Sequence, residues 1–191
     1  MRTSEKIRLI MMALLLIAAG ATYFLRDPAV SSASSEPLRL ETRTKEAHCA
    51  FRGPLPDPEC TPGAVFPVTA EQICVSGYSS GVRNVSVTLK KQVYEEYGLT
   101  YPQTKGAYEA DHFIPLELGG SNDIANLFPE PAEPDPGFHE KDLVENFLHQ
   151  EVCAGRMPLP EAQREIATDW VLVYKRLNPF QLLELKRQFS H

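Results

Sequence analysis

The sequence predicts an α+β fold in which a few helices pack beside short strands, behind an N-terminal wrap pinned by disulfides. Three observations carry that expectation. Two long stretches of helical apolar period follow Gly137, short apolar runs broken by Pro and Gly lie between Tyr108 and Phe128, and the 4 cysteines are spread through a chain with 16 prolines. At 191 residues the length suits one domain plus appendages, since single domains commonly run to about 100–200 residues. A hydrophobic content of 43% and a charged content of 23% are those of a globular protein, which excludes disorder along the whole chain.

The chain begins with a short, net basic stretch, residues 1–8, followed by Leu9 to Leu25, apolar except for Gly20 and Thr22. Such a run is longer than a signal core of about 7–15 residues and shorter than a full span of about 20. Residues 1–25 are therefore expected to be a signal peptide or an N-terminal membrane anchor, with Ala19-Gly20-Ala21 offering a small-x-small cleavage site before Thr22. Basic residues ahead of the run place the rest of the chain outside the cytoplasm, so the expected location is periplasmic or secreted, or anchored to the membrane through residues 9–25. Residues 26–46 are rich in Ser, Pro and charge without an apolar period and read as a linker. The folded domain is expected over 47–191.

In an oxidising compartment the even number of cysteines implies two disulfides. None of Cys49, Cys60, Cys74 and Cys153 forms a CxxC pair, which disfavours a tetrathiolate zinc site. Of the three possible connectivities, spacing favours Cys49–Cys60 as a local loop and Cys74–Cys153 as a long-range staple. The staple is worth on the order of 4 kcal/mol by restricting the unfolded chain.

Along the domain, residues 49–68 carry five prolines and two glycines and are expected to form an irregular wrap. Thr69 is placed to cap a short helix through Cys74. From Thr88, Leu89, Val93 and Tyr97 recur at i, i+4 and i+8, a small amphipathic helix stopped by Gly98. Tyr108 to Leu118 reads as two short strands flanking a bend at Pro115, and Gly119-Gly120 as a turn. Ser121-Asn122-Asp123 can start a single helical turn, Asn126 to Phe128 is extended, and Pro129 to Gly137 reads as an acidic, proline-rich loop. Phe138 to Val152 is a helix burying Leu143, Val144 and Phe147, with Gly155 just beyond it. Leu159 to Leu177 is a second helix, with Pro160 in its first turn and Ile166, Trp170, Val173 and Leu177 facing the core. A short terminal helix follows Pro179. The acidic residues between 130 and 145 read as a solvated face.

The formal net charge is −6, and without residues 1–21 it becomes −8, from 16 basic and 24 acidic side chains. A protein that grips nucleic acid over a broad basic face is thereby excluded. Any phosphate chemistry must rest on a local site.

The stretch that carries chemistry runs from Glu109 to Leu127, followed by His139 at the head of the next helix. Neighbouring residues on a strand face apart, so a bend is required for Asp111 and His112 to serve one site. With Asp111 holding a cation and His112 neutral beside it, the imidazole is suited to take a proton from water. The string Asp111-His112-Phe113-Ile114-Pro115-Leu116, then Gly119-Gly120-Ser121-Asn122-Asp123, then Asn126-Leu127, then a helix bearing a histidine, resembles the HNH endonuclease family of ββα-metal nucleases. The resemblance covers about residues 108–146, leaving the helices of 159–191 outside it.

The resemblance implies a small ββα core and a divalent metal, magnesium first with zinc or manganese as alternatives, held by Asp111 and His139. It gives His112 the role of general base and Asn126 that of fixing the loop that orients His112. Asp142 and Asn146 are alternatives to His139 as the last ligand. The implied partner is nucleic acid, DNA before RNA, with no small-molecule cofactor. The function expected is exported, metal-dependent endonucleolytic hydrolysis. The rival reading is a non-catalytic exported domain that uses a degenerate version of this fold for binding or structure. His48, His149 and His191 are given no role.

Overall fold

The computed structural model describes residues 40–189. The signal or anchor at 1–25, residues 26–39 of the linker, and residues 190–191 lie outside the described residues. Among the described residues, no helix is long and apolar enough to cross a membrane.

The chain is mixed helix and strand. After the wrap come α1 (Ala70–Ile73), α2 (Tyr78–Val82), α3 (Val87–Glu96), β1 (Tyr108–His112), 3-10 turns at Leu116–Leu118 and Ile124–Asn126, β2 (Leu127–Pro131), α4 (Phe138–Cys153), α5 (Leu159–Arg176) and α6 (Pro179–Phe189). Both disulfides form as spacing favoured, Cys49–Cys60 and Cys74–Cys153. The first closes the wrap and the second ties the end of α1 to the end of α4. Two disulfides fit an oxidising compartment.

The wrap is irregular, as its prolines require, and hangs on buried polar anchors. Asp57 accepts hydrogen bonds from the backbone of Ala50 (2.9 Å) and Glu59 (3.0 Å) and from Lys45 (2.8 Å). Burial alone would raise its carboxyl, but these donors hold it below its ordinary value. Helix α3 starts at Ser86, whose Oγ accepts from Leu89 N (3.1 Å), and stops at Gly98, which has φ 71°. Its inner face buries Val93 and Tyr94 against Leu127, so the helix lies against the sheet.

The sheet differs from the expectation in two places. Only the first half of 108–118 is a strand. Leu116–Leu118 is a 3-10 turn that buries Leu116 and Leu118, and the second strand is β2, which runs through Pro129 to Pro131. Strands β1 and β2 pair antiparallel, with Tyr108 opposite Pro131 and His112 opposite Leu127. Flanking bonds from Phe113 N to Asn126 O (2.8 Å) and from Ala132 N to Ala107 O (3.0 Å) set the alternation. They place Pro129 and Pro131 at pairs whose N–H would point away from the partner. A two-stranded sheet is all edge, so those prolines cost it no ladder bond. The register is unbroken between Asp111 and His112, and the bend comes after them.

The turn at Gly119-Gly120 is required by crowding. A Cβ on Gly120 would lie 1.8 Å from the Ile114 carbonyl oxygen, and Gly119 has φ +77° with Val68 Cγ2 2.7 Å from where its Cβ would be. The core then assembles from both sides of this turn. Phe128, Ile114 and Leu118 meet Val144 and Leu148 of α4 and Ile166 and Trp170 of α5. Trp170 is fully buried, as its helical spacing predicted. Helix α5 is kinked at Asp169, whose Oδ1 accepts from the backbone of Val171 (3.0 Å) and Leu172 (3.2 Å) and so caps a second segment. Helix α6 packs Leu185 against Leu143 and Leu177.

Candidate active site

The site residues come from β1, the loop after it and the first turns of α4. Asn126 closes the 3-10 turn before β2 and is fully buried. Its Oδ1 accepts from Ile114 N (2.9 Å) and Ala64 N (3.3 Å), and its Nδ2 donates to Ile114 O (2.9 Å) and Ser121 O (2.9 Å). One side chain thus ties both ends of the loop 114–121 to the end of the wrap. That loop leaves the strand directly after His112.

His112 is the last residue of β1 and is 1% exposed. Its Nε2 lies 3.2 Å from Asn122 Oδ1. The Asn122 amide cannot turn over without loss, because its Nδ2 donates to Val82 O (2.8 Å) and its Oδ1 also accepts from Asn84 N (3.1 Å). Facing an oxygen, Nε2 carries the hydrogen and Nδ1 the lone pair. Nδ1 is buried without a hydrogen-bond partner. Burial lowers the imidazole pKa; the Asp111 charge and the Asn122 bond work against that, while the charges of Arg83 and Lys141 add to it. The ring is therefore neutral at neutral pH, with a free basic nitrogen. Asn122, missed as a site residue in the sequence, is the group that selects this tautomer.

Asp111 meets a cation that the sequence reading did not anticipate. Lys141, 0% exposed, donates from Nζ to Asp111 Oδ2 (2.6 Å) and to the backbone carbonyl of His112 (2.9 Å). It is also paired with Glu145 and lies 3.4 Å from Glu130 Oε2. Burial opposes the charge on Lys141, but the carboxylates of Asp111, Glu130 and Glu145 raise its pKa well above the ordinary lysine value. Burial raises the Asp111 carboxyl, but Lys141, Glu130 and His112 together lower it further, and it falls to about 2. Glu130 and Glu145 are shifted the other way, well above the usual range, chiefly by burial and then by the neighbouring acids. As a carboxylate Glu130 has no hydrogen-bond donor on either oxygen. Protonated, it donates to Asp111. The expectation of a solvated acidic face between 130 and 145 holds for Glu133, Asp135 and Asp142, which are exposed, and fails at Glu130, which is fully buried with Lys141. Glu130 follows Phe128 by two on a strand, and Lys141 precedes Glu145 by four on a helix, the spacings that put each pair on one side.

His139 is exposed, on the outer side of the first turn of α4, with its ring 4.2 Å from that of Phe138. Asp142 also reaches solvent, yet desolvation by the protein around it, with the nearby charges of Asp111 and Glu109, lifts its carboxyl to about 6. Asn146 donates from Nδ2 to Asp142 O (2.7 Å) within its own helix. Among the described residues, the three potential metal-ligating atoms that lie within 4.8 Å of one another belong to Cys74, His149 and Cys153, not to Asp111 and His139. That Cys–His–Cys group has the right atoms for a metal, but its two sulfurs are joined in a disulfide, and it is thiolates that bind metals. His149 Nε2 instead lies 3.3 Å from Cys153 Sγ and 3.3 Å from Ile73 O.

The donor set at Asp111 therefore does not fit a closed metal cage. One of the two Asp111 carboxylate oxygens, Oδ2, is already taken by the Lys141 ammonium. Compared with protein-family models, with curated proteins and with solved structures, the chain gives no match.

Proposed function

We propose that the chain is an exported endonuclease that hydrolyses phosphodiester bonds of nucleic acid, with His112 as the general base. The observation that carries the reading is the His112 ring. Nε2 is committed to an Asn122 oxygen that is itself fixed by Val82 and Asn84, and Nδ1 is a buried lone pair without a partner. Buried polar atoms are nearly always paired, and an unpaired, neutral imidazole nitrogen has its lone pair free for a proton from water. The order of β1, β2 and α4 agrees with the ββα arrangement that the resemblance implies.

In this mechanism Asn126 holds the loop that follows His112, Asn122 holds the ring, and His112 Nδ1 takes the proton of the attacking water. Asp111, with His139 or Asp142 completing the set, would hold a divalent cation, magnesium first and zinc or manganese as alternatives. When bound there, the cation neutralises charge on the scissile phosphate and on the leaving oxygen. The test is plasmid cleavage by the full-length oxidised chain with and without added divalent metal, with His112→Ala alongside. Metal-dependent cleavage that falls by about 10²–10⁴-fold in the variant is expected. Full cleavage by His112→Ala overturns the mechanism.

One observation favours a second reading, a non-catalytic domain. Lys141 already places a cation among Asp111, Glu130 and Glu145, so the cluster is electrically complete as a piece of structure. On that reading the oxidised chain cuts no nucleic acid under any metal.

A further inference from the structure

A cleft of about 410 Å³ beside β1 counts Asp111 among its lining residues. Arg83, Lys90 and Lys105 line it, with Tyr101 and Tyr108. Arg83 and Lys105 are exposed and Lys90 is half-buried. Among the described residues no carboxylate pairs with any of the three. Arg52, Lys91 and Lys175 lack a carboxylate partner too, whereas Arg43, Lys45, Lys141, Arg156, Arg176 and Arg187 are held by acids; what sets Arg83, Lys90 and Lys105 apart is that they share one cleft. Against the three cations the cleft sets two acids, Glu109 and Asp111, both on β1. Tyr101 and Tyr108 are half-buried, braced edge-on by the buried ring of Tyr94 at 5.1 and 6.5 Å.

We propose that this cleft is the substrate track, and that it takes single-stranded nucleic acid, with Arg83, Lys90 and Lys105 on successive phosphates and Tyr101 and Tyr108 as stacking surfaces for bases. Unpaired cations beside braced aromatic faces are the two components of sequence-tolerant single-strand binding. A cleft of this volume is of the size of an unstacked nucleotide. The track would deliver the backbone to Asp111, the residue before His112 on β1. The proposal rests on the nuclease reading for that delivery, but binding is measurable apart from cleavage.

The experiment uses the full-length oxidised chain carrying His112→Ala, in chelator, and follows fluorescence anisotropy of a labelled single-stranded oligonucleotide across a salt series. A duplex of the same sequence and inorganic polyphosphate are run as competitors. Three phosphate contacts predict a log–log salt slope of about −2. The triple variant Arg83→Ala/Lys90→Ala/Lys105→Ala should bind at least about 10-fold more weakly and lose that slope, and Tyr101→Ala should lose about 5- to 100-fold. A triple variant that melts as the parent does and binds as tightly overturns the proposal. So does stronger competition by duplex than by single strand, or polyphosphate binding as well as the oligonucleotide. Unchanged binding in the triple variant together with plasmid cleavage by the wild-type chain removes the track and leaves the nuclease reading. Binding lost in the triple variant, with no cleavage by the wild-type chain, does the reverse.

Discussion

Asn126→Ala would strip partners from three buried backbone groups at once: Ile114 N–H, Ile114 C=O and Ser121 C=O. Each unpaired buried group costs about 1–3 kcal/mol, so urea unfolding should register a loss of about 3 kcal/mol or more, and the variant should lose cleavage through loop disorder. Asn122 acts differently, since it is half-buried and bonds His112 directly. Asn122→Asp places a carboxylate against Nε2, favouring the charged imidazole. Burial holds the His112 pKa below its ordinary value, so cleavage by the wild-type chain should persist to below about pH 6.5. In Asn122→Asp the acid limb should move upward, and the ring's ¹⁵N shifts should report the change independently of turnover. An acid limb that does not move removes Asn122 from the site. Lys141→Met tests the buried cluster. It leaves Asp111, Glu130 and Glu145 facing one another without a cation, at a cost of about 3–5 kcal/mol near neutral pH. Carboxyls whose folded pKa lies above the unfolded one contribute stability below the unfolded value and lose it as pH rises through the folded value. The deficit of Lys141→Met should therefore be small near pH 4 and grow toward pH 8, and a constant deficit would contradict the assignment.

At the scale of elements, the helices were legible because their apolar residues recur with helical period: α3, α4, α5 and α6 lie where the pattern placed them, within a residue or two at each end. The kink of α5 was not legible, since Asp169 as an internal cap looks like any polar residue on a helix surface. Helix α2 was not foreseen either, because Tyr78 to Val82 buries nothing and leaves no apolar period. The second strand was misplaced for a physical reason. Pro129 and Pro131 signal a break when read alone, and only the antiparallel register turns their missing N–H groups outward. The same limit hid the acidic cluster, whose members come from β1, β2 and α4 and meet only after the sheet and helix pack. The Gly119-Gly120 turn was legible as a turn, and its tolerance is now specific. Gly120→Ala drives a Cβ into the Ile114 carbonyl at 1.8 Å, so it should lower the unfolding midpoint far more than Gly106→Ala, where a Cβ meets nothing within 4 Å and only the positive φ is strained. Thermal melts of the two variants decide it, and equal losses would mean that the loop relaxes.

For the whole molecule, the fold is held by covalent staples and by the buried Lys141 cation. The Cys74–Cys153 bridge closes a sequence separation of 79 and Cys49–Cys60 one of 11; loop-closure entropy gives them about 4.5 and about 3 kcal/mol. Lys141 meanwhile supplies the positive charge that the buried acids need. A domain built this way should respond to two treatments in the reverse sense to a small zinc domain, which a chelator unfolds and a thiol reductant leaves folded. Chelator should move the thermal midpoint by less than about 2 °C. A thiol reductant that opens both bridges should lower it by about 15–25 °C, as a loss of about 7 kcal/mol implies for a chain of this length. Of single bridges, Cys74→Ser/Cys153→Ser should cost more than Cys49→Ser/Cys60→Ser. Reduced protein also frees Cys74 and Cys153 as thiols beside His149, so the reductant arm is run with and without zinc. A midpoint restored by zinc would mean that the Cys–His–Cys group binds metal once its disulfide is opened, while a large drop on chelation of the oxidised chain would mean that Lys141 is not the cation on which the fold depends.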